Sequence, residues 1–267
     1  MHFNTFSLTN LVGTLSDVIG ARRPACAKGD VAEIKEIVDK KAGGKVDRML
    51  LYNPDAVGQW IYEKYYDLFP NVRKYTDVSV DFLTAFPPKT PVCFATMYTG
   101  ADPTVHGITR YEKPVLKVDT FFDALPDSGK KVALVAVANQ SIPRIFAERN
   151  IDYYLMKYDG EVVEKALELI AEDRYDVIEV YNQEYDDKMH RSWPTSKIAV
   201  DALRHYNASF GKLMEAVAEH WKGHDTLVAF STDHGVHKPL FGLGAHGKNI
   251  PKDMNVRHFF GVLPKSK

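Results

Sequence analysis

The sequence has little cysteine and no long apolar run, and each of these shortages excludes a class of protein. Cys26 and Cys93 are the two cysteines in 267 residues, too few for a disulfide framework, so we expect a reducing cytosol. No uncharged apolar run approaches the roughly 20 residues of a membrane span. The N-terminal stretch 1–23 lacks an early basic residue and carries Asp17, which predicts an amphipathic surface helix and not a signal peptide. The expected location is cytoplasmic.

An excess of one charge sign is also missing. The chain has 34 Lys and Arg against 35 Asp and Glu, which gives a formal net charge of −1. A net charge this close to zero gives no sign of the positive surface that binds a nucleic-acid polymer or an anionic membrane. It is compatible with a small phosphorylated substrate. Internal repeats are absent as well, which excludes solenoids and propellers.

Short apolar runs rich in β-branched and aromatic residues alternate with longer helical patterns. The runs fit strands buried on both faces of a parallel sheet, and they are 48–53, 131–138, 175–182, 225–232 and 257–263. Apolar residues at helical spacing predict helices over 195–222 and about 160–173. This alternation predicts a three-layer α/β/α fold with a mostly parallel central sheet. We expect a single domain over 1–267 with a loop-rich insertion at about 101–130.

Acidic residues stand where three of these runs end. Asp55 follows the first run, Asp186 and Asp187 follow the third, and Asp233 with His234 follows the fourth. Ligands of such sheets bind outside the carboxyl ends of the strands, which share one edge. An acid after a strand is also a common helix N-cap, and Asp187 is expected to be merely solvated.

Histidines accompany these acids. His190 stands four residues after Asp186, His234 is next to Asp233, and His246 lies between small residues. Mixed Asp and His ligation suits zinc or a similar ion, and six such groups suffice for two ions. The pattern alone leaves a metal site and a set of unrelated caps and packed histidines as alternatives. The histidines expected to play structural parts are His106, His205, His220 and His224.

A hydroxyl group stands at a predicted helix start in the segment 85–100. Pro91 suits the first helical position, which makes Thr90 the N-cap, with its hydroxyl at the positive end of the helix dipole. Such a terminus binds phosphate and favours an alkoxide, so Thr90 is the candidate nucleophile. A plain capping threonine is the alternative. Thr96 and Thr99 are weaker candidates, because they fall inside the helix or at its end.

Taken in order, these elements resemble the alkaline phosphatase superfamily, especially its type I phosphodiesterase/nucleotide pyrophosphatase branch. In that pattern a Thr or Ser opens a helix ending in TG, followed by Pro and HG, a D-x-x-x-H pair before a proline, DHG, and a later HG. The matching residues here are Asp55, Thr90, Thr99-Gly100, Pro103, His106-Gly107, Asp186, His190, Pro194, Asp233-His234-Gly235 and His246-Gly247. They occur in the family's order from about 48 to 263.

The resemblance implies an alkaline phosphatase-like core and a metal-dependent hydrolase of phosphoric esters. It implies two divalent ions, with zinc as the first candidate and manganese as the alternative, and Thr90 as the nucleophile. One ion would be held by Asp186, His190 and His246. The other would be held by Asp55, Asp233, His234 and the Thr90 hydroxyl.

Three departures from the family pattern leave the substrate open. Phosphodiesterases of this type usually have an Asn phosphate donor three residues after the nucleophile, where this chain has Cys93. The Arg that sulfatases need is absent, which disfavours a sulfatase. The chain is short for the superfamily, so we expect a reduced substrate-selecting cap. The alternatives are a phosphomonoesterase, phosphonate hydrolase or phosphosugar mutase of the same superfamily, or a non-catalytic metal- or phosphate-binding relative. Candidates for further substrate contacts are Lys89, His237 and Lys248.

Overall fold

The computed structural model describes residues 1–266, in which strands and helices alternate along the chain. The strands are β1 Arg48–Pro54, β2 Val78–Leu83, β3 Val132–Val137, β4 Asp152–Met156, β5 Val177–Asn182, β6 Thr226–Phe230 and β7 Asn255–Leu263. The helices are α1 Leu11–Ile19, α2 Ala32–Ala42, α3 Gln59–Lys64, α4 Pro70–Tyr75, α5 Thr90–Thr99, α6 Pro103–His106, α7 Phe121–Asp127, α8 Ser141–Ile145, α9 Asp159–Glu172, α10 Glu184–His190, α11 Lys197–His220 and α12 Pro251–Met254. Short 3₁₀ turns cover Leu8–Asn10 and Tyr66–Leu68.

The seven strands form one sheet in the order β2-β7-β6-β1-β5-β3-β4. The pairs from β6 through β4 are all parallel, whereas β7 is antiparallel to both β6 and β2. Apolar cores lie on both faces of the sheet, one beneath α1, α2, α5, α7 and α8, the other beneath α3, α4, α9 and α11. The predicted three-layer architecture with a mostly parallel sheet is therefore confirmed.

The five predicted runs all become strands, and four of them occupy central parallel positions. The strands β1, β3, β5 and β6 are buried along their whole length. The run 257–263 lies in β7, which is antiparallel, so its expected parallel direction was wrong. The connection 231–254 contains no helix longer than the four residues of α12, whereas the crossover between parallel strands usually contains a helix that packs on the sheet.

Two edge strands were missed. Along β2 the residues alternate between buried and partly exposed, and β4 has no fully buried residue. Each has a neighbour on one side only and therefore lacks the continuous apolar run by which the central strands were recognised.

The N-terminal helix α1 is buried, which corrects the expected surface helix. Eight of its nine residues are buried, and it packs against α2, α5 and α7. Asp17, the residue that indicated a surface position, is paired with Arg23 at 2.5 Å and Lys35 at 3.0 Å. A carboxylate neutralised in this way can sit at the border of a buried helix.

The segment 101–130 contributes to the core more than a surface insertion would. It contains α6 and α7. Buried side chains from this segment, among them Ile108, Leu116 and Phe122, pack into the core beneath α5.

The two predicted helices are α9 and α11. Ser196 is the N-cap of α11, where its hydroxyl accepts the N–H of Ala199 at 3.3 Å. Within residues 1–266 no helix combines the length and the apolar character needed to cross a membrane.

Candidate metal centre

The candidate site lies where three adjacent strands end at one edge of the sheet. Because β6, β1 and β5 are neighbours and parallel, their carboxyl ends meet there. The site residues predicted from the sequence come to this edge on five segments. They are Asp55 after β1, Thr90 on α5, Asp186 and His190 on α10, Asp233 and His234 after β6, and His246 in the loop before α12.

One half of the site joins Asp55, Asp233, His234 and Thr90. His234 Nε2 lies 3.3 Å from Asp233 Oδ2 and 3.5 Å from Asp55 Oδ1. Thr90 Oγ1 lies 3.3 Å from His234 Nε2 and 3.4 Å from Asp55 Oδ2. Each of these four residues is at most 4% exposed. Three oxygen donors and one imidazole nitrogen therefore converge in a dry position, a donor set that suits zinc or a similar ion.

The other half joins Asp186, His190 and His246. Asp186 Oδ1 lies 3.4 Å from His190 Nε2 and 3.7 Å from His246 Nε2. The His246 ring stacks on that of His234, with 3.9 Å between the ring centroids. Donor atoms of Asp186, His234 and His246 lie within 4.8 Å of one another, as do those of Asp55, Asp233 and His234. The two halves therefore adjoin at His234.

The three histidines are all oriented by backbone carbonyl groups. The Nδ1 atoms of His190, His234 and His246 face the carbonyl oxygens of Gly244 at 3.1 Å, Gly235 at 3.1 Å and Pro88 at 2.8 Å. An imidazole that donates Nδ1–H to a carbonyl presents its Nε2 lone pair, which is the usual arrangement of a metal-ligating histidine. Burial lowers the pKa of His234 to about 3 and that of His246 well below its ordinary value, so both rings are neutral.

The three carboxylates have raised pKa values, and one oxygen of each lacks a hydrogen-bond partner. Asp55 Oδ1, Asp186 Oδ1 and Asp233 Oδ2 are buried and lack a hydrogen-bond partner among residues 1–266. Burial, together with the charge of Asp233, holds the pKa values of Asp55 and Asp186 well above the ordinary range, and burial raises the pKa of Asp233 to about 6. Unpaired buried carboxylates are costly, and a divalent cation is the group that satisfies them. The residues present therefore fit a metal centre.

Thr90 is the first residue of α5, and its expected role as N-cap was wrong by one position. Lys89, with extended backbone dihedrals, is the N-cap residue. The amides of Val92 and Cys93 both donate to the Lys89 carbonyl at 2.9 Å, and Pro91 has no N–H, so this helix start offers fewer free amides than expected. Because Thr90 is one position further on, its hydroxyl turns toward Asp55 and His234 and caps no amide.

Two residues that support the site carried no sequence motif. Tyr181, near the end of β5, donates its hydroxyl to Asp55 Oδ2. Asp159, the first residue of α9, accepts the N–H groups of Gln183 and Glu184 at 3.0 and 2.8 Å, which fixes the start of α10. The position of Tyr181 at a carboxyl strand end is a signal that could have been used, whereas the contact of Asp159 depends on how α9 and α10 pack.

The other residues singled out in the sequence have varied surroundings. Cys93 is buried, with Sγ 3.8 Å from the Ala85 carbonyl oxygen. Lys89 Nζ donates to the His246 carbonyl at 3.1 Å, which places its charge beside the site. His237 is buried against Asp253 at 2.8 Å, whereas Lys248 is exposed.

The residues expected to be structural lie in ordinary contacts. His106 Nε2 lies 3.0 Å from Thr96 Oγ1, and its Nδ1 accepts the N–H of Ile108 within the turn, as expected. His205 lies 2.9 Å from Glu184, and His224 lies 3.4 Å from Asp173. Asp187 is held by Tyr158 at 3.0 Å, so it is not merely solvated.

Solved structures share this fold, whereas no family model and no curated protein matches the sequence. Murine ectonucleotide pyrophosphatase/phosphodiesterase 5 aligns with a TM-score of 0.58 and 19% identity over 72% of this chain and 58% of that chain. An inactive form of that protein was solved in complex with AMP. The human protein of the same name aligns with a TM-score of 0.57 and 16% identity over 72% and 57% of the two chains.

A bacterial hydrolase has the same architecture. Phosphonoacetate hydrolase from Sinorhizobium meliloti, solved with phosphonoacetate, aligns with a TM-score of 0.52 and 17% identity over 72% of this chain and 57% of that chain. This chain thus spans less than two thirds of the length of each of these proteins. The similarity establishes the architecture, and the chain has the alkaline phosphatase-like fold that its ordered motifs predicted.

Proposed function

We propose that this chain is a two-metal hydrolase of phosphoric esters, of the phosphodiesterase/nucleotide pyrophosphatase type, with Thr90 as its nucleophile. The observation that carries the proposal is the set of three buried carboxylate oxygens without partners, on Asp55, Asp186 and Asp233. They face neutral imidazoles that cannot neutralise them. A chain that held these groups together for structure alone would bear their repulsion and desolvation without compensation.

The ligands divide between two ions as the family resemblance implies. Asp186, His190 and His246 would hold one ion, and Asp55, Asp233, His234 and Thr90 would hold the other. Divalent ions in such a pair lower the pKa of a ligating hydroxyl and stabilise the charge of the phosphoryl group and the leaving oxygen. We propose zinc, with manganese as the alternative, because both donor sets mix imidazole nitrogen with carboxylate oxygen.

The chain's own residues supply the nucleophile and a proton acceptor. Thr90 Oγ1 lies 3.4 Å from Asp55 Oδ2, the carboxylate best placed to receive the hydroxyl proton. Thr90 Oγ1 then forms a bond to phosphorus while the bond from phosphorus to the leaving oxygen breaks, which gives a phosphothreonine. Water subsequently cleaves that bond and restores the hydroxyl. The covalent route divides one difficult displacement into two easier ones.

Lys89 adds a positive charge next to the nucleophile. Its ammonium group is held at 3.1 Å by the carbonyl oxygen of His246, one of the proposed metal ligands. A cation fixed there attracts an anionic phosphoester and stabilises charge that grows on its oxygens. Lys89 is therefore proposed as a substrate-binding residue.

The remaining proposals concern the substrate and the setting. We propose a small phosphorylated substrate and a single catalytic domain. Both cysteines are free in the described chain, which supports a reducing compartment such as the cytoplasm.

Metal analysis and a comparison of hydrolysis rates on several model substrates test the proposal. Protein purified without chelator should contain close to two zinc or manganese equivalents and should hydrolyse bis(p-nitrophenyl) phosphate faster than p-nitrophenyl phosphate, p-nitrophenyl sulfate or phosphonoacetate. Asp186→Asn should lose one equivalent and turnover, whereas Asp187→Asn, its neighbour on α10, should keep both. Metal-free protein that still hydrolyses the diester, or equal behaviour of the two variants, would refute the proposal. A faster rate on another compound of the panel would correct the substrate class.

A further inference from the structure

A loop next to the candidate metal centre exposes large apolar side chains to an unusual degree. Leu240 and Phe241 are 89% and 88% exposed, and Leu243 is 54% exposed. Apolar side chains on a protein surface are common singly, but a cluster in one loop is typical of an interaction site. We call Leu240, Phe241 and Leu243 the apolar tip.

The base of this loop is held firmly. The N–H and carbonyl groups of His237 and Ala245 pair reciprocally at 2.7 and 2.9 Å and close the loop 238–244. The N–H of Gly244 also donates to the carbonyl groups of Met189 at 3.2 Å and Ser192 at 2.9 Å. The apolar tip is therefore presented outward from a fixed base at the end of α10.

A tryptophan and several cations lie in the two segments that form the base of the apolar tip. Trp193 is 42% exposed, and the ammonium group of Lys238 lies 4.7 Å from the centre of its ring. The segments 188–193 and 238–248 contain no aspartate or glutamate. The cations in these two segments are Lys188, Arg191, Lys238 and Lys248. An apolar projection with an amphipathic tryptophan and a border of positive charge is the pattern of an interfacial membrane anchor.

We propose that the apolar tip docks onto an anionic lipid surface. Leu240 and Phe241 expose nearly their whole side chains, so they project into solvent and do not line a pocket for a small ligand. Such side chains suit a deformable apolar phase, into which they insert while the neighbouring cations lie among anionic headgroups. The average charge of the chain predicts no membrane partner, but the attraction arises from the cations of two segments that the hydrogen bonds of Gly244 hold together. This inference goes beyond the proposed hydrolase and does not depend on it.

Co-sedimentation with lipid vesicles tests the proposal without any turnover. The full chain should bind vesicles of equal parts phosphatidylcholine and phosphatidylserine, should bind phosphatidylcholine alone more weakly, and should be released by salt because the charge attraction is screened. The double variant Leu240→Ser, Phe241→Ser should bind about tenfold more weakly or worse. Leu155→Ser is the matched control, since Leu155 is a 47% exposed leucine on the edge strand β4.

A variant of Lys238 tests the contribution of the cations. Lys238→Glu should weaken binding to the anionic vesicles and leave the weak binding to neutral vesicles unchanged. Circular dichroism melting establishes that each variant is folded before the vesicle assay. The proposal is overturned if the folded wild-type chain binds neither the anionic nor the neutral vesicles. It is also overturned if Leu155→Ser loses as much vesicle binding as the double variant. Light scattering that shows a dimer in wild type and a monomer in the double variant overturns it as well, because the tip would then bind a second copy of the chain.

Discussion

Replacing Thr90 with alanine separates catalysis from folding at the residue on which the proposed mechanism depends. The change removes the hydroxyl oxygen and the γ-methyl group and leaves the backbone of α5 in place. If the hydroxyl attacks phosphorus, its loss should lower turnover of an activated diester on the order of 10⁴-fold or more, as loss of a catalytic nucleophile does. That factor corresponds to about 5.5 kcal/mol of transition-state free energy.

The effect of Thr90→Ala on stability should be small, for reasons visible in the structure. Thr90 is the first helical residue and not the N-cap, so no capping bond is lost. Asp55 Oδ2 keeps the hydroxyl of Tyr181 as a donor, so no acceptor is newly left without a partner. Losing one buried methyl group costs about 0.8 kcal/mol, and the better helix propensity of alanine returns up to about 0.7 kcal/mol. The melting temperature should therefore move by no more than about 4 °C.

The assay measures turnover, melting temperature and metal content on the same preparations of wild type, Thr90→Ala and Thr90→Ser. Metal content should stay near two equivalents, since three protein ligands remain at that ion and water completes a four-coordinate site. Thr90→Ser should keep partial activity, because it retains the hydroxyl but loses the β-branching that restricts χ1. Mass spectrometry of the rapidly quenched wild-type reaction should find the phosphoryl group on the peptide that contains Thr90.

One result would refute this mechanism directly. If metal-loaded Thr90→Ala hydrolyses the diester within about tenfold of the wild-type rate, Thr90 is not the nucleophile, since that is far below the expected loss. The site would then have to activate water directly.

Three further predictions concern other parts of the chain. His246→Ala should abolish turnover and reduce bound metal, whereas His205→Ala, on the exposed face of α11, should stay within a few-fold of wild type; equal losses would mean that structural histidines were mistaken for ligands. Asp159→Asn should lower the stability by about 1–3 kcal/mol, because the amide NH2 group replaces one of the two carboxylate oxygens that face the Gln183 N–H and cannot accept it. A competition titration with a chelator should show weaker metal binding. Burial raises the pKa of Glu179 from 4.5 to about 8. Between these pH values the folded chain holds a proton on Glu179 that the unfolded chain has lost. The free energy of unfolding should therefore fall as pH rises through this window, by up to about 1.4 kcal/mol per pH unit. Urea unfolding of Glu179→Gln should show a shallower pH dependence in that window, and an unchanged dependence would place the titration elsewhere.

Much of the site could be read from the sequence, because its chemistry is tied to strand ends. An acid stands just after each of the runs that become β1, β5 and β6, and parallel strands bring the residues at their carboxyl ends to one edge of the sheet. The continuous apolar runs and the helical spacing in α11 report burial within each segment, so the elements they formed were recognisable without a structure. The order of the motifs added the superfamily resemblance.

Other features depended on contacts between distant parts of the chain. The direction of β7 and the existence of β2 and β4 are set by pairing with strands that are distant in sequence, and the apolar pattern of a single segment does not report that pairing. The burial of α1 is accompanied by ion pairs of Asp17 with Arg23 and Lys35, which sequence periodicity does not report.

The finest details of the site were decided by tertiary structure alone. A shift of one residue at the start of α5 turned Thr90 from a cap into a neighbour of Asp55 and His234. The carbonyl groups that orient His190 and His246, and the contact between Asp159 and α10, come from other segments of the chain. Sequence determines which donor groups follow each strand, because the apolar runs and the residues just after them are local properties. Packing determines where each donor atom points, because that orientation is set by partners brought near only when the chain has folded.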